Sequence, residues 1–453
     1  MNIQGIISQL KNKHFLSLVG NASMSVLAMV TIGILLRNMT SVDIGYWFFF
    51  QTSFSLIDTF RVGFLQTAMI KFYSGTEGEK ADAILGSVWF LSLLITGILI
   101  GLNILAAFAI PFIDNFGMET VIKWFGITFL FTLPSAVSAW ILQSDQRFDS
   151  LLLIRVVSQG AFILMVLVAI FFTTLDLNLV LLINAVSSAT VSLFCIYQGW
   201  ARVKTFTKRT KAWILELFHF GKYSVGTSIS TNLLRSSDTF VIMFVLGAAG
   251  PAAVTMYSMP MRLMEVIEIP LRSFLSTAMP SMSAAFNRGN KQEVVSIMQK
   301  YAGTLTLALV PVSFVAIILA DFAIVILGGS QYSGSHAVSV YRIFMSFAMF
   351  YPLDRFLGVT LDIIHQPKFN FYKVLVMLVT NVTFDFIGIY FFHNINGVAL
   401  GSLFTFLSGA IFGYYWLRKY LDFTFMGFFT VGVREIQVFL KEKLGFNISS
   451  PKP

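Results

Sequence analysis

Apolar runs of roughly 20 residues, separated by short polar gaps, recur along the whole chain. A run of that length with few charges constrains the fold severely. In lipid every backbone polar group must be satisfied within its own segment, so each run is a helix that spans a bilayer. Composition agrees: 56% of residues are hydrophobic, 12% are charged and 48 are Phe, far from what a soluble domain of this length exposes. The runs lie near 14–36, 46–70, 84–109, 121–143, 150–172 and 178–200, then near 216–246, 252–280, 297–320, 338–363, 369–392 and 397–417. The fold class is therefore all-α: a polytopic membrane protein of about twelve transmembrane helices.

One stretch occurs twice. The first copy, 58–80, contains Asp58, Arg61, Phe64-Leu65-Gln66-Thr67-Ala68-Met69 and Gly78-Glu79-Lys80. The second, 268–291, contains Glu268, Arg272, Phe274-Leu275-Ser276-Thr277-Ala278-Met279 and Gly289-Asn290-Lys291. A Phe-Leu-x-Thr-Ala-Met string between an Arg and a Gly-x-Lys is too specific to recur by chance. It marks two duplicated, pseudo-symmetric six-helix bundles, a common plan among secondary transporters. A second match agrees: Gln146-Arg147-Phe148-Asp149 follows the fourth span and Gln366-Pro367-Lys368-Phe369-Asn370 follows the tenth. Six spans return the chain to its starting side, so the repeat is parallel. The expected organisation is an N-terminal segment (1–13), a first bundle (14–200), a basic linker (201–215), a second bundle (216–417) and a tail (418–453).

Lys and Arg set the orientation. Alternate loops carry Lys71 and Lys80, Arg147, the linker bases Arg202, Lys204, Lys208, Arg209 and Lys211, then Arg288 and Lys291, Lys368 and Lys373, and Arg418 and Lys419. The opposite loops lack them, and only Arg37 breaks the pattern. The positive-inside rule puts both termini in the cytoplasm. The net charge of +9 then reflects topology and attraction to anionic membrane lipids, not a nucleic-acid footprint. The run after the basic N-terminus lacks a small-residue cleavage site and reads as a retained span. In the tail, Phe429, Val433, Ile436, Leu440 and Leu444 share one helical face, as in a short interfacial amphipathic helix; a frayed tail fits the same residues.

The informative residues are the ionisable ones inside spans. A charge at mid-bilayer costs at least ~2.5–3.5 kcal/mol, so each needs a partner or water. These are Asp58 and Arg61; Arg235 and Asp238; Arg262, Glu265, Glu268 and Arg272; Arg342, Asp354 and Arg355; and Asp385. At ~1.5 Å per residue, Arg235, Asp238 and Arg262 lie in the outer half, Glu265 and Glu268 near the middle, and Asp58, Arg61 and Arg272 towards the cytoplasm. The expectation is a ladder of acid–Arg pairs along the seam between bundles. Arginine suits a phosphate-bearing ligand because its planar fork donates bidentately and stays ionised. Acid–Arg pairs also lock helices together, so any single pair reads equally well as structure.

Other chemistry is thin. The single Cys195 leaves no disulfide or thiolate metal site, and the five His share no ligand spacing. No Gly-x-x-x-x-Gly-Lys loop or serine-nucleophile motif is present. No resident cofactor is expected, and the chain reads as a transporter, not an enzyme.

Together the spans, the Leu36-to-Tyr46 loop, the seventh span from Gly221-Lys222-Tyr223-Ser224 through Ser237-Asp238-Thr239-Phe240-Val241-Ile242 to Leu246-Gly247, the Met256-Tyr257-Ser258 opening of the eighth and Pro280-Ser281 at its end resemble the polysaccharide-biosynthesis, O-antigen-flippase family. That family shares a superfamily with multidrug and toxin extrusion (MATE) exporters and lipid II flippases. The resemblance covers about 14–417. It implies movement of an undecaprenyl-diphosphate-linked oligosaccharide (an O-antigen, capsule or exopolysaccharide repeat unit) from the cytoplasmic to the periplasmic leaflet of the bacterial inner membrane. It further implies a MATE-like flippase fold, alternating access, a coupling proton or sodium ion, and a polysaccharide polymerase with chain-length machinery as partners. On depth and facing, Arg61, Arg235, Arg262 and Arg272 are the expected diphosphate-binding positions. Asp58, Asp238, Glu265, Glu268, Asp354 and Asp385 are the expected cavity acids for ion coupling. Two alternatives stand beside this. A MATE-type exporter of small cations is disfavoured by so many arginines. A membrane glycosyltransferase or polymerase is disfavoured by the short loops.

Overall fold

The computed structural model describes residues 13–444; the expectations for 1–12 and for the tail beyond 444 fall outside them. Among the described residues the chain is helical, with no strand. In order the helices are α1 (Lys13–Asn38), α2 (Ser41–Tyr73), α3 (Gly78–Ala107), α4 (Phe116–Ser144), α5 (Phe148–Phe172), α6 (Leu177–Tyr197), α7 (Lys211–Val245) and α8 (Gly250–Asn287). They continue as α9 (Lys291–Ile318), α10 (Ala320–Gly328), α11 (His336–Ala348), α12 (Tyr351–Ile363), α13 (Pro367–Phe392), α14 (Ile395–Arg418) and α15 (Phe425–Leu444).

Every apolar run falls on helix, with one correction. The run at 338–363 is two helices, α11 and α12, broken at Met349-Phe350. Pro352 has no N–H and its ring clashes with the carbonyl four residues back, which ends α11 at Ala348. Among the described residues, seven helices are long and apolar enough to cross a membrane: α3, α4, α5, α6, α9, α13 and α14. Helices α2, α7 and α8 are long enough but fall outside that set, because they carry the charges and hydroxyls described below.

The chain forms two compact units. The first runs to Met243 and includes Gly247–Thr255; the second comprises Phe244–Leu246 and everything from Met256. The duplication in sequence changes over at the basic linker, whereas the contacts change over one helix later. The reason is close packing of α7 on α2: Gly221 lies against Phe64, and Gly63 against Ser228. The linker itself is ordered. A 3-10 turn, Val203–Lys208, lies on α3, where Gly86 meets the Thr205 carbonyl and Trp89 donates from Nε1 to the Ala201 carbonyl at 2.8 Å. The core of the first unit joins Leu65 and Met69 of α2, Leu85 and Val88 of α3, and Val137 and Trp140 of α4.

In the second unit, α13 and α14 form a tight hairpin. Gly388 and Gly397 bring the two backbones into contact, and any side chain at either position would collide with the other's carbonyl. Small residues serve this purpose in membranes, where lipid supplies no hydrophobic drive between helices. The tail forms a helix, α15, that packs on the second unit. Gly432 meets the Gly303 backbone of α9, Phe428 is buried in the unit's core, and Lys300 pairs with Glu435 at 2.6 Å. The side chains of Leu440 and Leu444, expected on its apolar face, lie outside the described residues.

The duplication is visible in the backbone. At the end of α4, Asp145, Gln146 and Arg147 donate to the carbonyls of Ile141, Gln143 and Leu142; at the end of α12, Ile364, His365 and Gln366 donate to those of Thr360, Asp362 and Leu361. Gln146 and His365 occupy the same left-handed position, with φ of 56° and 59°. The structural match therefore pairs Gln146 with His365, one residue before the Gln366 of the sequence match.

Candidate functional site

In the first unit the site is built on α2 and α7. Residues Ser228, Thr231, Asn232 and Arg235 recur on α7 at helical spacing, so they share one face. With Thr59 of α2 they line an open cavity of about 350 Å³. Asn232 donates from Nδ2 to the Ser55 carbonyl at 3.2 Å and to the Thr59 hydroxyl, fixing α7 against α2. The lining offers hydroxyls, an amide and one guanidinium. Such a surface can hydrogen-bond a polyhydroxyl ligand and neutralise an anion. Asp238 lies nearly one turn beyond Arg235 on the same helix and is buried.

Arg61 behaves differently from the expectation. Its side chain is fully buried, and all three guanidinium nitrogens are engaged inside the unit. Nε and Nη2 meet the Asp58 carboxylate at 3.0 and 2.8 Å. Nη1 reaches the Thr96 hydroxyl of α3 at 3.4 Å and the Phe129 carbonyl of α4 at 3.3 Å. Nη2 also reaches the Thr132 hydroxyl at 3.0 Å, and the guanidinium carbon lies 4.0 Å from the centroid of the Phe129 ring. In this structure the Arg61 fork, expected as a diphosphate anchor, ties α2 to α3 and α4.

In the second unit α8 carries three internal prolines, Pro260, Pro270 and Pro280, and two ion pairs. Arg262 meets Glu265 at 2.8 Å, and Arg272 meets Glu268 at 2.6 Å. Both arginines keep exposed surface, with the Arg272 side chain 59% accessible. Arg342 and Arg355 are exposed, on α11 and α12.

A separate polar track runs between α12, α13 and α14. Lys373 Nζ lies 2.6 Å from Asp354 Oδ1 and donates to the Asp354 carbonyl at 2.9 Å, with both residues buried. Just over two turns further along α13, Asn381 Nδ2 donates to Asp385 Oδ2 at 2.8 Å, and the Thr405 hydroxyl donates to Asn381 Oδ1 at 3.0 Å. Asp385 is 0% exposed and sits against Gly401, where no side chain fits. Carboxylate, amide and hydroxyl oxygens clustered in a dry interior make up the donor set that hard cations and protons use.

The family model for polysaccharide biosynthesis proteins matches residues 25–337. The chain belongs to the polysaccharide biosynthesis protein family. Structural comparison gives the same fold. The lipid II flippase MurJ in an inward closed conformation aligns over 95% of this chain and 93% of its own, with a TM-score of 0.72 at 15% identity. An inward-facing multidrug-resistance MATE transporter of the MOP superfamily aligns over 89% and 97%, also with a TM-score of 0.72 at 15% identity. A MOP superfamily transporter from Pyrococcus furiosus, described as having a binding pocket of reversed polarity, aligns over 95% and 97% with a TM-score of 0.61 at 14% identity. A search of curated proteins gave no significant match. This polysaccharide biosynthesis protein thus has the fold of transporters and flippases, and is a multi-pass membrane protein.

Within the family member, the sequence reading brought together Asp58 with Arg61, Arg262 with Glu265, and Glu268 with Arg272. It missed Thr59, Ser228, Thr231 and Asn232, although the α7 stripe at helical spacing was open to view. It also missed Lys373 as a buried partner. Read as a loop base, Lys373 in fact lies nearly two turns inside α13, which starts at Pro367.

Proposed function

We propose that this family member is a flippase that moves an undecaprenyl-diphosphate-linked oligosaccharide across the bacterial inner membrane, from the cytoplasmic to the periplasmic leaflet. The observation that carries the reading is the α2–α7 cavity, lined among the described residues by the hydroxyls of Thr59, Ser228 and Thr231, the amide of Asn232 and the guanidinium of Arg235. A sugar on a phosphate anchor would find both kinds of partner there, hydroxyl and amide groups for the sugar and a guanidinium for the phosphate. Membership of the polysaccharide biosynthesis family supports the same substrate class.

In this reading Arg235 of the first unit and Arg262 and Arg272 of the second are the diphosphate contacts, and Arg61 positions α2. Transport proceeds by ion-coupled alternating access. Among the six candidate acids, Asp385 has the surroundings that best suit a proton or sodium ion, with Asn381 and Thr405 beside it. Both termini are cytoplasmic, and the product passes to a polymerase with its chain-length machinery.

The test is extraction of lipid-linked intermediates from cells lacking the protein. The expected result is a diphosphate-linked oligosaccharide trapped on the cytoplasmic leaflet, with surface polysaccharide lost. Normal surface polysaccharide, with raised sensitivity to cationic drugs, would overturn the reading in favour of an exporter. In cells carrying Asp385→Asn, the same intermediate should accumulate with the protein still in the membrane; unimpaired transport would remove Asp385 from the coupling role.

A further inference from the structure

The first unit has a second cavity unlike the one just described. Helices α3 and α6 each pack on α4, and a crevice of about 610 Å³ is bounded by all three. Leu93 and Trp89 of α3, Leu130 and Pro134 of α4, and Leu193 and Ile196 of α6 line it. Its end is closed by the 3-10 turn Val203–Lys208 of the basic linker, which contributes Phe206 and Lys204.

The lining offers a ligand almost nothing but hydrocarbon, because its polar groups satisfy one another. The α4 backbone on either side of Pro134 is tied down by Ser192, whose hydroxyl donates to the Phe131 carbonyl and accepts from Ser135 N at 3.2 Å. Trp89 spends its N–H on the Ala201 carbonyl. At the closed end the bases differ in availability. Lys208 is paired with Asp82 at 2.5 Å, and that carboxylate's hydrogen bond raises the Lys208 pKa. Arg209 lies over the Phe206 ring at 4.4 Å. Lys204 lines the crevice, is exposed, and makes no ion pair among the described residues.

We propose that this crevice binds one anionic glycerophospholipid, with an acyl chain along α3, α4 and α6 and the phosphate on Lys204. An apolar slot ending at an available ammonium fits a lipid with one charged end, and fits a zwitterionic lipid worse. Anionic headgroups are attracted to basic segments at the membrane surface. Docked there, the lipid bridges the linker turn and the α3–α4–α6 face of the first unit. The inference requires only that the chain spans a bilayer; it is independent of the flippase reading.

Native mass spectrometry of the purified full chain tests it, with phosphatidylglycerol and phosphatidylcholine supplied at equal concentration. Phosphatidylglycerol should be retained preferentially, Lys204→Gln should weaken that preference about fivefold, and Lys368→Gln in the second unit should leave it unchanged. Ala189→Trp, which fills the crevice, should abolish retention of both lipids. If that variant does not fold, Leu193→Gln, at an exposed position of the lining, should weaken both. Equal retention of the two lipids, unaffected by Lys204→Gln, would overturn the proposal and leave the crevice to bulk lipid. Stoichiometric displacement of phosphatidylglycerol by a polyprenyl phosphate would overturn it in favour of an isoprenoid occupant.

Discussion

The two copies of the repeat carry nearly the same residues and put them to opposite uses. In the first, Arg61 is buried and tied to Asp58, Thr96, Thr132 and the Phe129 carbonyl. In the second, Arg272 meets Glu268 and otherwise reaches outward. The cause is a shift of one residue. The acids are in register with the Phe-Leu-x-Thr-Ala-Met string, each six residues ahead of its Phe, but Arg61 stands three residues before Phe64 whereas Arg272 stands two before Phe274. One residue on a helix is a rotation of about 100°. The position equivalent to Arg61 is therefore Leu271, which is buried in the second unit's core. A motif match located both arginines, but only the register separated a helix lock from an accessible cation.

The comparison breaks most sharply at Arg61. Arg61→Leu should destabilise the protein by about 3–5 kcal/mol, because Asp58 is left without its partner in a largely buried position. The double variant Asp58→Leu with Arg61→Leu should recover most of that loss, since removing a whole buried pair is often neutral. Thermal melting of detergent-solubilised protein measures both. A single variant that melts like the parent would show that Arg61 is not a lock. In the second unit the buried Lys373–Asp354 pair is the fair counterpart, and Lys373→Met should cost a similar amount.

A smaller effect sharpens the assignment of partners. Thr132→Val keeps the shape of the side chain and removes one acceptor from Arg61 Nη2. A hydrogen bond to a charged group contributes about 1.5–3 kcal/mol, so the melting midpoint should fall by less than in Arg61→Leu. An unchanged midpoint would mean that Asp58, Thr96 and the Phe129 carbonyl hold the guanidinium without Thr132.

The same contrast explains what the sequence disclosed. Membrane class, helix positions and the duplication were legible because hydrocarbon enforces helices of a set length and because a six-residue string is hard to repeat by chance. The break before Pro352 follows from proline chemistry that a hydropathy run smooths over. Burial was legible only as a face, never as a depth within a unit. Asp58 and Arg61 share a face with each other, but nothing in their spacing announces Thr96 and Thr132, which lie 35 and 71 residues from Arg61. Lys373 was hidden for the reverse reason: a base near a helix start reads as a topology marker until the helix is seen to begin at Pro367. Seating of α15 on α9 escaped because glycines such as Gly303 and Gly432 leave no amphipathic trace.

The smallest effect on the fold belongs to Arg272, and it carries the functional half of the comparison. Arg272→Gln alters an exposed ion pair, so its melting midpoint should correspond to a change within about 0.5 kcal/mol. If Arg272 contacts the diphosphate, the same variant should lose transport about ten- to a hundredfold, the equivalent of one charge-assisted hydrogen bond. Restoration of surface polysaccharide in deletion cells, measured beside the amount of inserted protein, reads the two effects separately. Lost polysaccharide with a full complement of stable protein is the expected pattern, and Arg272→Lys should restore it only in part because an ammonium lacks the bidentate fork. Full transport in Arg272→Gln would leave Arg235 and Arg262 as the remaining anchors, and would make the one-residue shift between the copies a difference in packing alone.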